Sequence, residues 1–318
     1  GFTQDEVNMI MQAVNIEANQ INIDMKSYYN GYIFNRKAKT QVYNSSMILY
    51  FFNQILKNED LKLIDPNLSI DPQRLRRLVR SEHNRDVLIQ IIKEGGIVSG
   101  ILEKFSIDNL DDNKHFISLL FYMGLLTIKG SSGSLTQLVI PNYSIQQVYW
   151  EQVRSLIEES SELAKINTDV LEKHINNIAS AGEIEGFIDY ISQNVFSKLS
   201  DYDLQQFDEK YIKILLLSYL LLNTLYIPMS EYETASGRTD IFLQRNPKYS
   251  ADVKYEWVWE LKYCKTKSTP KEIAQATQDG LEQLNQYIAS HRLKNRPNLK
   301  SALLIFIGKN KYKIVIPQ

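Results

Sequence analysis

Asp240, followed twenty residues later by Glu260-Leu261-Lys262, puts two carboxylates and an ammonium on two short, neighbouring stretches of chain. The first reads Gly237-Arg238-Thr239-Asp240-Ile241-Phe242-Leu243, the second Tyr255-Glu256-Trp257-Val258-Trp259-Glu260-Leu261-Lys262-Tyr263. Both are rich in β-branched and aromatic residues, and the turn-prone Arg245-Asn246-Pro247-Lys248-Tyr249-Ser250 lies between them, which predicts a hairpin. Side chains alternate along a strand, so Glu260 and Lys262 share one face while Trp259, Leu261 and Tyr263 take the other. Two hard carboxylates suit Mg²⁺ (or Mn²⁺), and a nearby ammonium can steer or activate a water. Asp240 and Glu260 are therefore the candidate metal ligands. In phosphodiester hydrolysis such a metal polarises the phosphoryl oxygen, offsets transition-state charge and lowers the pKa of water. Lys262 is the candidate water-orienting residue, and burial is expected to lower its own pKa. The competing reading is a pair of ordinary acids near strand ends, neutralised by Arg238 or Lys262.

Asp…Glu-x-Lys on adjacent strands resembles the PD-(D/E)xK nuclease superfamily. Gln283-Leu284-Asn285-Gln286-Tyr287 fits the Gln-x-x-x-Tyr element of that superfamily's RecB-like branch. Ser230-Glu231-Tyr232-Glu233, running into Gly237-Arg238-Thr239-Asp240, is similar to proteins that join an AAA-ATPase-like domain to a C-terminal PD-(D/E)xK domain. Four upstream segments, 2–7, 29–34, 42–44 and 116–127, look like the same group. The resemblance implies a restriction-endonuclease-like α/β domain with a mixed central sheet, a Mg²⁺-dependent site, and nucleic acid, DNA in particular, as substrate. It also implies an ATPase-like partner domain lying before Gly1. By the same resemblance, Gln283 would hold a water of the metal and Tyr287 would touch a phosphate. The family's remaining acid comes from the preceding helix, where Glu209 is the candidate. Glu231 and Glu233 are rivals closer to Asp240. Arg238 is expected to bind an acid or phosphate.

Composition narrows the rest. The chain has 318 residues, 44% of them hydrophobic and 23% charged, which fits a folded globular protein with material for two domains. A net charge of −1 excludes a generally basic coat, so nucleic-acid contacts must be local. One patch runs from His291 to Gln318, with Arg292, Lys294, Arg296, Lys300, Lys309, Lys311, Lys313 and no acid. A second is Arg74-x-Arg76-Arg77-x-x-Arg80. Cys264 is the only cysteine, which rules out an internal disulfide and fits a reducing, cytoplasmic setting. Four histidines without metal-ligand spacing argue against zinc, and no GxxxxGK[ST] loop is present to bind ATP. The longest apolar run, 214–228, is too short for a membrane span, and no membrane partner is expected.

The elements that must position these residues follow from period and punctuation. Thr3 with Glu6 forms a capping-box pattern before Val7, Ile10, Met11 and Val14, which predicts an opening helix. Tyr28 to Phe34 reads as a turn and short extended segment. Helices are expected at 46–56, after Asp71-Pro72, and at 113–123, the last ending at Gly124. Strands at 125–128 and 135–140 flank a Gly/Ser turn, and helix followed by hairpin resembles a winged-helix element. The expected division is a mostly helical domain (1–145), a helical bridge (146–205) and the nuclease-like domain (206–318). Within the last, a helix from Glu209, strands at 225–232, 237–243 and 255–263, a helix from Pro270 and two closing strands are expected.

Overall fold

A computed structural model of the chain describes residues 1–16, 23–57, 81–104, 109, 112–160, 166–234 and 237–317. They form two compact units, Gly1–Gln152 and Val153–Gln318. The Arg74–Arg80 cluster and the helix expected after Asp71-Pro72 lie outside the described residues.

The first unit carries α1 (Gln4–Ala13), α2 (Met25–Tyr29), α3 (Ser45–Leu56), α4 (Glu82–Glu94), β1 (Gly96–Ser99), α5 (Asn113–Tyr122), β2 (Thr127–Ser132) and β3 (Leu135–Val139). Thr3 and Glu6 close the expected capping box at the start of α1, satisfying two otherwise unpaired backbone donors. The reading of Tyr28–Phe34 needs correction. Asp24 caps a short helix that takes in Tyr28 and Tyr29, and only after it does the chain extend, bridging Tyr32 to Val42. These aromatics are core: Tyr28, Tyr29 and Tyr32 are buried. The strand order β1-β3-β2 adds to the expected hairpin a third strand, β1, that sequence reading missed. At four residues it is too short for alternation to announce it. The sheet belongs to a mostly helical N-terminal region, in which α4 leads through Gly95 into β1.

A helix, α6 (Tyr143–Ser160), crosses from the first unit into the second. Next come α7 (Thr168–Ser180), α8 (Glu185–Asn194), α9 (Asp201–Gln205) and α10 (Glu209–Leu220). The rest is β4 (Tyr226–Thr234), β5 (Gly237–Arg245), β6 (Glu256–Cys264), α11 (Pro270–Ile288), α12 (His291–Lys294), β7 (Leu299–Ile307) and β8 (Lys311–Val315). The sheet has order β4-β5-β6-β7-β8, with β6 and β7 parallel and every other pair antiparallel. The parallel pair needs a crossover, and α11 and α12 supply it. Pro270 opens α11, as the sequence predicts, and Thr269 and Glu272 close a capping box there that sequence reading did not single out.

Both faces of this sheet are covered. On one, Phe242, Val258, Leu303 and Ile305 pack with Leu284 and Tyr287 of α11 and Leu293 of α12. On the other, Trp259 lies 6.0 Å from the Phe187 ring of α8, and Trp257 Nε1 donates to the Ile178 carbonyl of α7 at 3.3 Å. Burial of such side chains stabilises by roughly 2–3 kcal/mol each. The helices of residues 168–194 thus pack with the C-terminal sheet.

Candidate active site

Pairing between β5 and β6 covers only Ile241–Leu243 against Trp257–Trp259. Carried one step further, this register sets Asp240 opposite Glu260. Instead of a main-chain pair at that level, Asp240 Oδ2 accepts the Leu261 backbone N–H at 2.9 Å. Because alternation puts 240 and 242 on the face of 258, 260 and 262, Asp240, Glu260 and Lys262 lie on the face covered by α11. Lys262 Nζ donates to Glu260 Oε1 at 2.7 Å. Gly280 of α11 sits over this point. A Cβ there would fall 2.5 Å from Leu303 Cδ1 and 3.2 Å from Lys262 Cγ, so the glycine lets the helix close over the lysine stem.

Burial controls the electrostatics. Glu260 is only 3% exposed, and desolvation, joined by the charge of Asp240, pushes its pKa up to about 8 despite Lys262. Its Oε2 is buried with no hydrogen-bond partner. Burial alone would lower the Lys262 pKa, but the bond and charge of Glu260, with Glu209 and Asp240, outweigh it. The lysine therefore lies above its ordinary value, contrary to the sequence expectation.

Glu209 opens α10, half-buried near Lys262. Desolvation raises its pKa, against the attraction of Lys262 and a hydrogen bond from the Tyr263 backbone. One turn on, Lys213 inserts its ammonium between two acids. It donates to Asp240 Oδ1 at 3.2 Å and to Glu231 Oε1. Sequence reasoning passed over Lys213. The available signal is Glu209-x-x-x-Lys213, four apart and hence on one helix face. Burial alone would lower this ammonium, yet Asp240 and Glu231 hold its pKa above the usual value. Glu231 is exposed and bound by this lysine, and its backbone is left-handed at φ 53°.

Tyr287 reaches the site from α11. It is buried, and desolvation together with Glu260, Asp240 and Glu231 pushes its phenol up to about 12. Its ring lies 3.0 Å from where a Cβ on Gly237 would stand. Gln283 lies one turn before it on the same helix, exposed.

The basic candidates lie elsewhere. Arg238 pairs across the ladder with Glu233 at 3.2 Å, both largely exposed. Arg292 donates to the Glu233 carbonyl at 3.1 Å, and Lys294 is exposed on α12. Arg296 is taken up by the fold: its Nη1 meets both oxygens of buried Glu256 at 3.1 Å, and its guanidinium lies 4.7 Å over Phe242. That is a structural role, because it neutralises a buried carboxylate.

Among the described residues, no three His, Cys, Asp or Glu side chains form a ready metal cage. Mg²⁺ does not need one. It is commonly held by one or two carboxylates, with waters and substrate phosphates completing the octahedron. Asp240 and the orphaned Glu260 Oε2 fit that demand, and both are hard oxygen donors.

Fold and site together define a restriction-endonuclease-like α/β domain with an acid–acid–lysine constellation. Residues 207–315 match the family model described as the PD-(D/E)XK nuclease superfamily. The matched span contains Glu209, Lys213, Glu231, Asp240, Glu260, Lys262, Gln283 and Tyr287. Comparison with the curated proteins and with the solved structures gave no match. No helix among the described residues is long and apolar enough to cross a membrane.

Proposed function

We propose that the C-terminal unit is a metal-dependent phosphodiesterase acting on nucleic acid, with DNA as substrate. The observation that carries this reading is Glu260. Its Oε2 is buried without a partner, next to Asp240, while Lys262 holds the sister oxygen at 2.7 Å. An uncompensated buried carboxylate oxygen is costly, and a divalent cation removes that cost.

Asp240 and Glu260 would hold the ion, which supplies Lewis-acid charge at the scissile phosphate. Lys262, kept protonated by the surrounding acids, has two further N–H donors to offer a phosphate oxygen or orient the attacking water. Tyr287, with its pKa near 12, stays neutral at physiological pH and can donate to a phosphate. Gln283 lines the same helix one turn away and can position water. Glu209 adds a third carboxylate from α10. Arg292 and Lys294 supply phosphate contacts of the salt-sensitive kind. The ATPase-like partner domain and a cytoplasmic setting belong to this proposal and rest on the sequence resemblance and the lone Cys264.

Cleavage of labelled DNA with Mg²⁺ or Mn²⁺ tests the assignment. Asp240→Asn and Lys262→Met should each lower the rate about a hundredfold or more. Wild-type rates in both variants would defeat it. A second reading is a nuclease-fold module that binds nucleic acid or a protein partner without turnover. It is favoured by Lys213, which already supplies a counter-charge to Asp240. Under that reading calorimetry finds no bound divalent ion.

A further inference from the structure

Three carboxylates stand in a row across three strands. The β4–β5 register pairs Ser230 with Ile241 and Tyr232 with Thr239, which puts Glu231 opposite Asp240. On the other side, the β5–β6 register carries Asp240 to Glu260. At Glu231 the ladder skips a residue and the backbone turns left-handed, at φ 53°, a conformation that costs a non-glycine residue free energy. In that conformation the Glu231 carboxylate meets the Lys213 ammonium. Lys213 is firmly sited, its side chain 11% exposed, and it bridges Glu231 and Asp240. Asp240 Oδ2 is already taken by the Leu261 N–H, so Lys213 holds the oxygen that remains.

We propose that Lys213 is a positioning residue that occupies Asp240 Oδ1 until a divalent cation arrives, and that Glu231 is the acceptor that draws it aside. This rests on the metal site proposed above. A cation approaching Asp240 would meet an ammonium 3.2 Å from the oxygen it needs. Like charges at that range repel strongly in a partly buried site. The ammonium already contacts Glu231, so it can give up Asp240 without losing all of its partners. Glu231 thus acts on the metal through Lys213, as a lysine acceptor and not as a ligand.

The test is a double-mutant cycle read as Mn²⁺ affinity by calorimetry on the whole chain. Thermal melts confirm that each variant folds. Lys213→Met keeps the stem and removes the charge, and it should tighten Mn²⁺ binding about fivefold. Glu231→Gln leaves the ammonium on Asp240 and should weaken binding about fivefold. In the Lys213→Met background, Glu231→Gln should change affinity by about twofold or less, since coupled pairs are non-additive. An equal loss in both backgrounds would make Glu231 a direct ligand or a bystander charge and overturn the inference. Absence of Mn²⁺ binding in wild type and in every variant would overturn the metal site itself.

Discussion

The Asp240 carboxylate and the Leu261 backbone N–H meet at 2.9 Å, just where β5 and β6 stop pairing. A side chain thereby takes over a donor that the ladder leaves unpaired, and the strands part at the level of the acids. Asp240 consequently does two things, one structural and one electrostatic. Asp240→Asn keeps an acceptor for Leu261 and should unfold within about 1 kcal/mol of wild type, whereas Asp240→Ala orphans the N–H and should lose about 1–3 kcal/mol. Both should bind Mn²⁺ at least about tenfold more weakly. Urea unfolding beside calorimetry separates the two roles, and equal stability of the Asn and Ala variants would refute the structural one.

Glu260 makes stability depend on pH in an unusual direction. Its folded-state pKa of about 8 stands above the ordinary 4.5, so between those values the native state holds a proton that the unfolded chain has released. Stability of the metal-free protein should fall as pH rises from 4.5 to 8, because the folded state binds more protons there. Below 4.5 both states are protonated and the effect vanishes. Glu260→Gln should flatten this part of the profile and leave the protein more stable than wild type at pH 8. Saturating Mg²⁺ should do the same by neutralising the buried charge. Denaturant midpoints across this range, with EDTA or Mg²⁺, provide the measurement. A midpoint that rises with pH in EDTA would contradict the burial argument.

Much of this domain was legible because its signals are local. Alternation in Tyr255–Tyr263 put Glu260 and Lys262 on one face, and Pro270 marked the start of α11. The strand β1 was invisible because four residues carry no usable period. Lys213 was missed for another reason: its meaning depends on Asp240 and Glu231, 27 and 18 residues away, which only the folded sheet brings to it. Arg296 reads in sequence as one more cation in a basic stretch. Its partner Glu256 lies 40 residues earlier and is buried by packing that no spacing rule shows.

That difference makes Arg296 a prediction. Glu256 is 2% exposed and accepts from Arg296 and from the Arg245 backbone N–H, so removing the Arg296 guanidinium leaves this buried acid only the Arg245 Nε, 4.0 Å away, as a counter-charge. Arg296→Met should cost about 3–5 kcal/mol in urea unfolding, and Arg296→Met with Glu256→Met should recover much of it. The salt dependence of DNA affinity should stay as in wild type, whereas Lys294→Met should lower its slope by about one. A lower slope in the Arg296 variant would return that residue to the nucleic-acid surface.

Gly237 sits where backbone and site meet. It opens β5 at φ +141°, a region that side chains rarely adopt, and a Cβ there would stand 3.0 Å from Tyr287 Cε1. Gly237→Ala should therefore fail in two separable ways. Backbone strain should lower stability by about 1–3 kcal/mol whatever occupies position 287. The contact should also push the Tyr287 ring out of its buried seat and away from Asp240 and Glu260, releasing the phenol from the burial, and with it the charges, that hold its pKa up. Spectrophotometric titration of the Gly237→Ala variant should show a tyrosine pKa moved down from about 12 towards the ordinary 10. In a Tyr287→Ala background the steric part disappears, so Gly237→Ala should cost only the strain. An unchanged tyrosine titration in the single variant would mean that the ring yields without leaving the site.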